Sequence, residues 1–224
     1  MIRVNNMIAL YQIFDALFPL GSYVFSSGME TYTQMEIIND KDSLAAFLNA
    51  QLYTLPYSDL GVAAKVAQGE DFVLLDNLCG AMKQPFEIRQ GSERLSMRFL
   101  KTMERLSDSK GLDAYRTSIS KWLCDGHYPV AVGLFVHDLE DVELDQAMEL
   151  YCYNMLSAMV NNAVKLVPLG QSDGQSALSE VMTSIPGAVR KAVAASVKEL
   201  GVSGCGLDLR AMQHETLKGR LYSS

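Results

Sequence analysis

The chain lacks the features that mark a stapled or membrane-anchored protein. Its four cysteines, Cys79, Cys124, Cys152 and Cys205, are widely spaced and form no C-x-x-C pair. This excludes a zinc ribbon and a secreted disulfide framework, and it predicts buried thiols in a reducing compartment. No apolar run approaches about eighteen residues, so no membrane span is expected. Residues 1–6 lack the apolar core of a signal peptide, and the expected location is the cytoplasm. Charged residues make up only 20% of the chain against 49% hydrophobic, which argues against disorder. A net charge of −7 disfavours nucleic acid. Neither G-x-x-x-x-G-K-[ST] nor G-x-S-x-G occurs, which removes the P-loop and the nucleophile elbow. His214-Glu215 begins like the metalloprotease H-E-x-x-H, but Lys218 stands where the second histidine belongs.

Helical periodicity fills the space these absences leave. All six prolines, Pro19, Pro56, Pro85, Pro129, Pro168 and Pro186, fall where a helical pattern breaks, as expected of a residue without an N–H. Between them, apolar residues recur at helical spacing. Leu44, Phe47, Leu48, Leu52 and Leu55 form one stripe behind Asp42 or Ser43 as N-cap. Phe72, Leu75, Leu78, Cys79 and Met82 form another, and Leu112, Tyr115, Ile119, Trp122 and Leu123 a third. Residues 144–167 are apolar nearly all round and are expected to form the central, most buried helix. A last long helix is expected from Pro186 to Leu200, stopped by Gly201. Val130–Val136 has strand-like composition, but it lies between helical segments without a pairing partner, so it too is expected to be a short helix. The prediction is a single all-α domain over residues 1–224, with about ten helices.

The last eighteen residues carry Leu207, Leu209, Met212, Leu217, Leu221 and Tyr222 interleaved with His214, Glu215, Lys218 and Arg220. Residues 185–224 hold six Lys and Arg against three Asp and Glu, a balance of +3, so the rest of the chain carries −10. A modestly basic, apolar tail over 205–224 suits docking onto an acidic protein partner. Glu87, Arg94 and Arg98 read as a solvated helix face. His127 lies near Cys124 and Asp125, but the spacing matches no metal motif, and a helix-capping role is expected. The acidic run 138–145 reads as a solvated loop. Gln171, Asp173 and Gln175 crowd one turn, which buried amides would pin. No cofactor and no catalytic residue is expected.

Four segments in order carry a resemblance. Phe18-Pro-Leu-Gly-Ser-Tyr-Val-Phe-Ser-Ser-Gly-Met-Glu30 is similar to F-P-x-G-x-x-x-x-S-x-G-x-E, with Pro19, Gly21, Gly28 and Glu30 in place. His127-Tyr-Pro-Val-Ala-Val-Gly133 matches H-x-P-V-x-x-G through His127, Pro129 and Gly133. Leu166–Gln175 matches V-P-L-G-Q-x-x-G-Q through Pro168, Gly170, Gln171 and Gln175. Met212–Ser224 resembles M-x-H-E…R-L-F-x-S through His214, Glu215, Arg220 and Leu221, with Tyr222 for the usual Phe. Arg98 stands where glycine is frequent. These are the motifs of the UreF family of urease accessory proteins.

The resemblance implies an all-helical, non-catalytic homodimer. It implies pairing with UreD (also called UreH) and recruitment of the GTPase UreG to apo-urease for nickel insertion. Tyr23, Glu30, His214, Glu215 and Arg220 are expected to form one partner-recognition patch, with Leu221 and Tyr222 packed into the body or against UreD. The tail is expected to order on partner binding. Two alternatives are an arginine-finger activator using Arg94, Arg98 or Arg220, and a nickel chaperone using His127, Cys124 or the acidic run.

Overall fold

A computed structural model describes residues 7–15, 17–21, 25–26, 28–202 and 204–222. These form an all-α bundle with no strand among the described residues. The helices are α1 (Met7–Ile13), α2 (Met29–Gln34), α3 (Lys41–Thr54), α4 (Asp59–Ala67), α5 (Phe72–Met82) and α6 (Phe86–Leu106). They continue as α7 (Lys110–Ser120), α8 (Tyr128–His137), α9 (Leu144–Leu166), α10 (Gln171–Met182), α11 (Ile185–Ala194) and α12 (Cys205–His214). Among the described residues, no helix is long and apolar enough to cross a membrane.

Local chemistry explains where the helices start and stop. Asp40, not Asp42 or Ser43, caps α3: its carboxylate accepts from the Ser43 amide at 2.8 Å, and the Ser43 hydroxyl accepts from the Asp40 amide at 3.0 Å. Asp71 caps α5 by accepting from Val73 N and Leu74 N. Pro129 and Pro186 sit in the first turns of α8 and α11, where a missing N–H costs nothing. The helix expected to reach Leu200 stops at Ala194, because Ser196 is extended and bonds Glu199 to start a separate 3₁₀ turn.

The strand-like stretch at 130–136 is indeed helical, and it forms the most enclosed element of the bundle. Every residue of α8 from Pro129 to Val136 is buried. It lies against α4 so closely that a Cβ on Gly133 would fall 2.6 Å from the Ala63 carbonyl oxygen. Helix α9 does touch six other helices. However, Asp145, Gln146, Asn161 and Lys165 keep its outer face in solvent, so it is not the most buried element.

The third apolar stripe ends earlier than its spacing suggests. Helix α7 closes at Ser120, with Trp122 N bonded to Ile119 O and Leu123 N to Ser118 O. That is the 6→1, 5→2 pattern of a glycine-favouring stop. Trp122 holds the left-handed position at φ 60°, costing about 1–2 kcal/mol relative to glycine. Its side chain is 93% exposed, not part of the core.

Candidate functional site: a buried latch under the tail

Helix α2 begins at Gly28, whose φ of 81° only glycine adopts without strain, and where a Cβ would fall 3.2 Å from Ala211 of α12. This close approach places Glu30, in the first turn of α2, against the end of α12. Glu30 is 1% exposed and His214 is fully enclosed. His214 Nε2 lies 3.0 Å from Glu30 Oε2, and His214 Nδ1 lies 2.6 Å from Glu87 Oε2. Arg220 Nη1 donates to the other Glu87 oxygen at 2.6 Å. The Leu221 and Tyr222 amides donate to Glu30 at 2.8 and 3.1 Å. Two carboxylates thus face the His214 ring and the Arg220 guanidinium. Glu87 sits in the first turn of α6, where the helix end favours negative charge. Thr31 Oγ1 adds a bond to the Arg210 carbonyl at 2.8 Å.

Through these bonds the tail packs on the body. His214 and Glu30 hold each other instead of facing solvent. Burial and the Glu30 charge push the Tyr222 phenol above its ordinary range. Glu215, Leu209 and Met212 are exposed, and Leu221 is 75% exposed, so the strap turns a mixed apolar and charged face outward. Tyr23 lies outside the described residues.

The other motif residues serve the fold in different ways. Gly21 has φ 67°, and the preceding Leu20 carbonyl accepts from Arg98 at 3.0 Å. Pro19 is exposed, while Pro168 follows the end of α9. Gln171 and Gln175 are both exposed, so buried amides do not pin the turn at 168–175. Asp173 Oδ2 accepts from Gly170 N at 3.3 Å, and Gly174 packs onto Val160 and Val164.

A second junction went unread in the sequence. Asp76, on α5, is fully buried. It accepts from the Tyr115 hydroxyl and from the amides of His127 at 2.9 Å, Asp125 at 2.7 Å and Gly126 at 3.2 Å. Burial, then Asp76, pushes the Tyr115 phenol well above its ordinary range. His127 does cap α8 through its backbone, but neither ring nitrogen has a hydrogen-bond partner among the described residues. Burial lowers its pKa and keeps the ring neutral. Burial also pushes the Cys124 thiol up to about 12, so it is not a ready thiolate. Among the described residues no three His, Cys, Asp or Glu side chains are grouped to hold a metal. The acidic run is not wholly solvated: Asp138 accepts from Ser109 Oγ at 2.6 Å and Gly111 N at 2.8 Å. Arg94 is exposed, whereas Arg98 and Arg220 are engaged internally.

Glu87 was legible only as one member of a solvated helix face. Its link to His214 spans 127 residues, and no local spacing reports that. Asp76 did leave a signal, a carboxylate placed within the apolar stripe of α5.

Comparison with known proteins adds an independent line. The UreF family model matches residues 38–182. The chain is 34% identical over 230 aligned positions to urease accessory protein UreF of Actinobacillus pleuropneumoniae serotype 5b (strain L20), spanning 99% of this chain and 100% of that one. It is 30% identical to urease accessory protein UreF of Bacillus sp. (strain TB-90), again over 99% and 100%. Identity is also 30% to urease accessory protein UreF of Haemophilus influenzae (strain PittEE), over 99% and 97%.

Proposed function

Because the chain belongs to the UreF family of urease accessory proteins, we propose that it is a non-catalytic adaptor in urease maturation. In this reading it pairs with a UreD (UreH) protein. The pair recruits the GTPase UreG to apo-urease, where nickel is inserted. The observation that carries the reading is the latch, which spends a buried charge network on holding the tail in one place. A fold with α12 already packed on α2 and α6 gains little from a further strap. A recognition surface gains a great deal, since a face fixed before encounter carries less ordering cost at binding. Glu30 and His214 act from beneath as positioning residues. Glu215 and Leu221 form the outward part, with Arg220 and Tyr222 beside them on the strap.

The test is to mix the purified chain with UreD-like and UreG-like proteins and weigh the species by light-scattering chromatography. A complex that gains the GTPase only with nucleotide is the expected result. Arg220→Ala is expected to stay folded and to lose GTPase recruitment. Unchanged complex formation by that variant would remove Arg220 from the interface. A chain that ignores both partners would overturn the adaptor reading.

A further inference from the structure

A pocket of about 250 Å³ lies between α9 and α12, and the ends of α3 and α5 and the first half of α6 complete its walls. The walls are mostly apolar, with Phe25, Leu55, Met82, Leu95, Met155 and Met159 among them. Thr54, Ser58 and Asn154 also line it, but each side chain already donates to a backbone carbonyl, of Gln51, Thr54 and Phe14 in turn.

Two lining groups are left over. Asn162 is 3% exposed, and its Nδ2 donates to the Phe25 carbonyl at 2.8 Å. Its Oδ1 has no hydrogen-bond partner among the described residues, and neither has the enclosed hydroxyl of Tyr128. Burial pushes the Tyr128 phenol far above its ordinary range, so it stays protonated and can donate. Buried polar atoms nearly always find a partner, so two orphans in one pocket call for an occupant. A water there needs about two to four polar partners, whereas apolar-walled cavities stay dry and take up apolar molecules. Charge narrows the occupant further. The charged lining residues are Asp59, Asp208 and Lys83, a balance of −1, and the Lys83 ammonium is already bonded to Asp59. An anion therefore meets no free cation.

We propose that this pocket binds a small neutral molecule with an apolar body and a carboxamide-like head, whose N–H donates to Asn162 Oδ1 and whose carbonyl accepts from the Tyr128 hydroxyl. Leu207, Asp208 and Ala211 give the pocket its α12 wall, so the bound molecule also holds the helix that ends at His214 against α9. The site does not depend on the adaptor role proposed above.

Benzamide is the probe, with toluene lacking the head and benzoate carrying a charge. Titration of the full chain, followed by ligand-observed NMR, is expected to give a benzamide Kd of about 1 mM or tighter. Toluene and benzoate are expected to bind about tenfold more weakly or not at all. Tyr128→Phe removes a hydroxyl that bonds nothing in the chain, so it is expected to melt like the native protein and to weaken benzamide about tenfold. Ala158→Leu adds bulk at a half-buried lining position. It is expected to melt cooperatively and to lose binding. Bound benzamide is expected to slow amide exchange in residues 205–214. No saturation by benzamide up to about ten times that Kd would overturn the site, and so would native-like binding by folded Ala158→Leu. Toluene or benzoate matching benzamide, or an unchanged Kd in Tyr128→Phe, would overturn the assigned head. Exchange in α12 that ignores benzamide would overturn the contact with that helix.

Discussion

Asp76 and Glu30 are both enclosed carboxylates that gather hydrogen bonds from distant parts of the chain, yet they are built for opposite ends. Asp76 accepts from a phenol and three backbone amides, all on or beside helices of the inner bundle. None of those donors can leave without opening α5, α7 and α8. Glu30 accepts from an imidazole and two amides that all belong to the tail, and Glu87 holds the tail's arginine beside it. Those donors can lift away together while the bundle stays closed. A carboxylate bound by core backbone makes a fixed joint, whereas one bound by a terminal strap makes a joint that can open.

Three measurements break or sharpen this contrast. Asp76→Ala takes the acceptor from the Asp125, Gly126 and His127 amides, while the Tyr115 hydroxyl keeps the His127 carbonyl at 3.2 Å, so at about 1–3 kcal/mol per lost partner it is expected to cost at least about 3 kcal/mol of global stability. That is a large share of what a domain of this size has. Denaturant titration should show the loss, with Asp76→Asn recovering part of it. His214→Ala takes one partner from buried Glu30, which keeps the Leu221 and Tyr222 amides, and one from half-buried Glu87, which keeps Arg220, at a cost of about 1–3 kcal/mol. That cost is expected to appear as tail opening: amide exchange should quicken in residues 205–222 and stay slow in α5 and α8. Equal quickening everywhere would mean that the two joints are one cooperative unit.

The smallest effect is acid sensitivity near the first joint. Burial holds the His127 pKa below its ordinary 6.5. The neutral ring therefore contributes stability above pH 6.5 that is lost as pH falls through the folded value, at no more than about 1.4 kcal/mol per pH unit. His127→Phe should remove that component from the stability–pH curve. An unchanged acid limb would show that His127 does not titrate with unfolding.

How far each joint could be read beforehand follows from the range of the interactions. Helix α8 was recognisable because proline punctuation and flanking helices outweighed its strand-like composition. Trp122 was misread because it lies three residues after Ile119, and apolar spacing cannot see a φ of 60°. Glu30, His214 and Arg220 were singled out by resemblance, not by local pattern. Glu87, which joins two of them, lies 127 residues from His214. Periodicity reports the neighbour one turn away, so a network closed across the chain stays invisible to it.

The bond from Leu221 to Glu30 bridges 191 positions of sequence. During synthesis the bundle from α2 to α11 emerges first and has time to pack. The strap becomes available only when translation has passed residue 220. Until then Glu30 and Glu87 sit side by side without His214 and Arg220, and the outward face does not exist. The latch thus joins the earliest helices of the bundle to a segment made long after them.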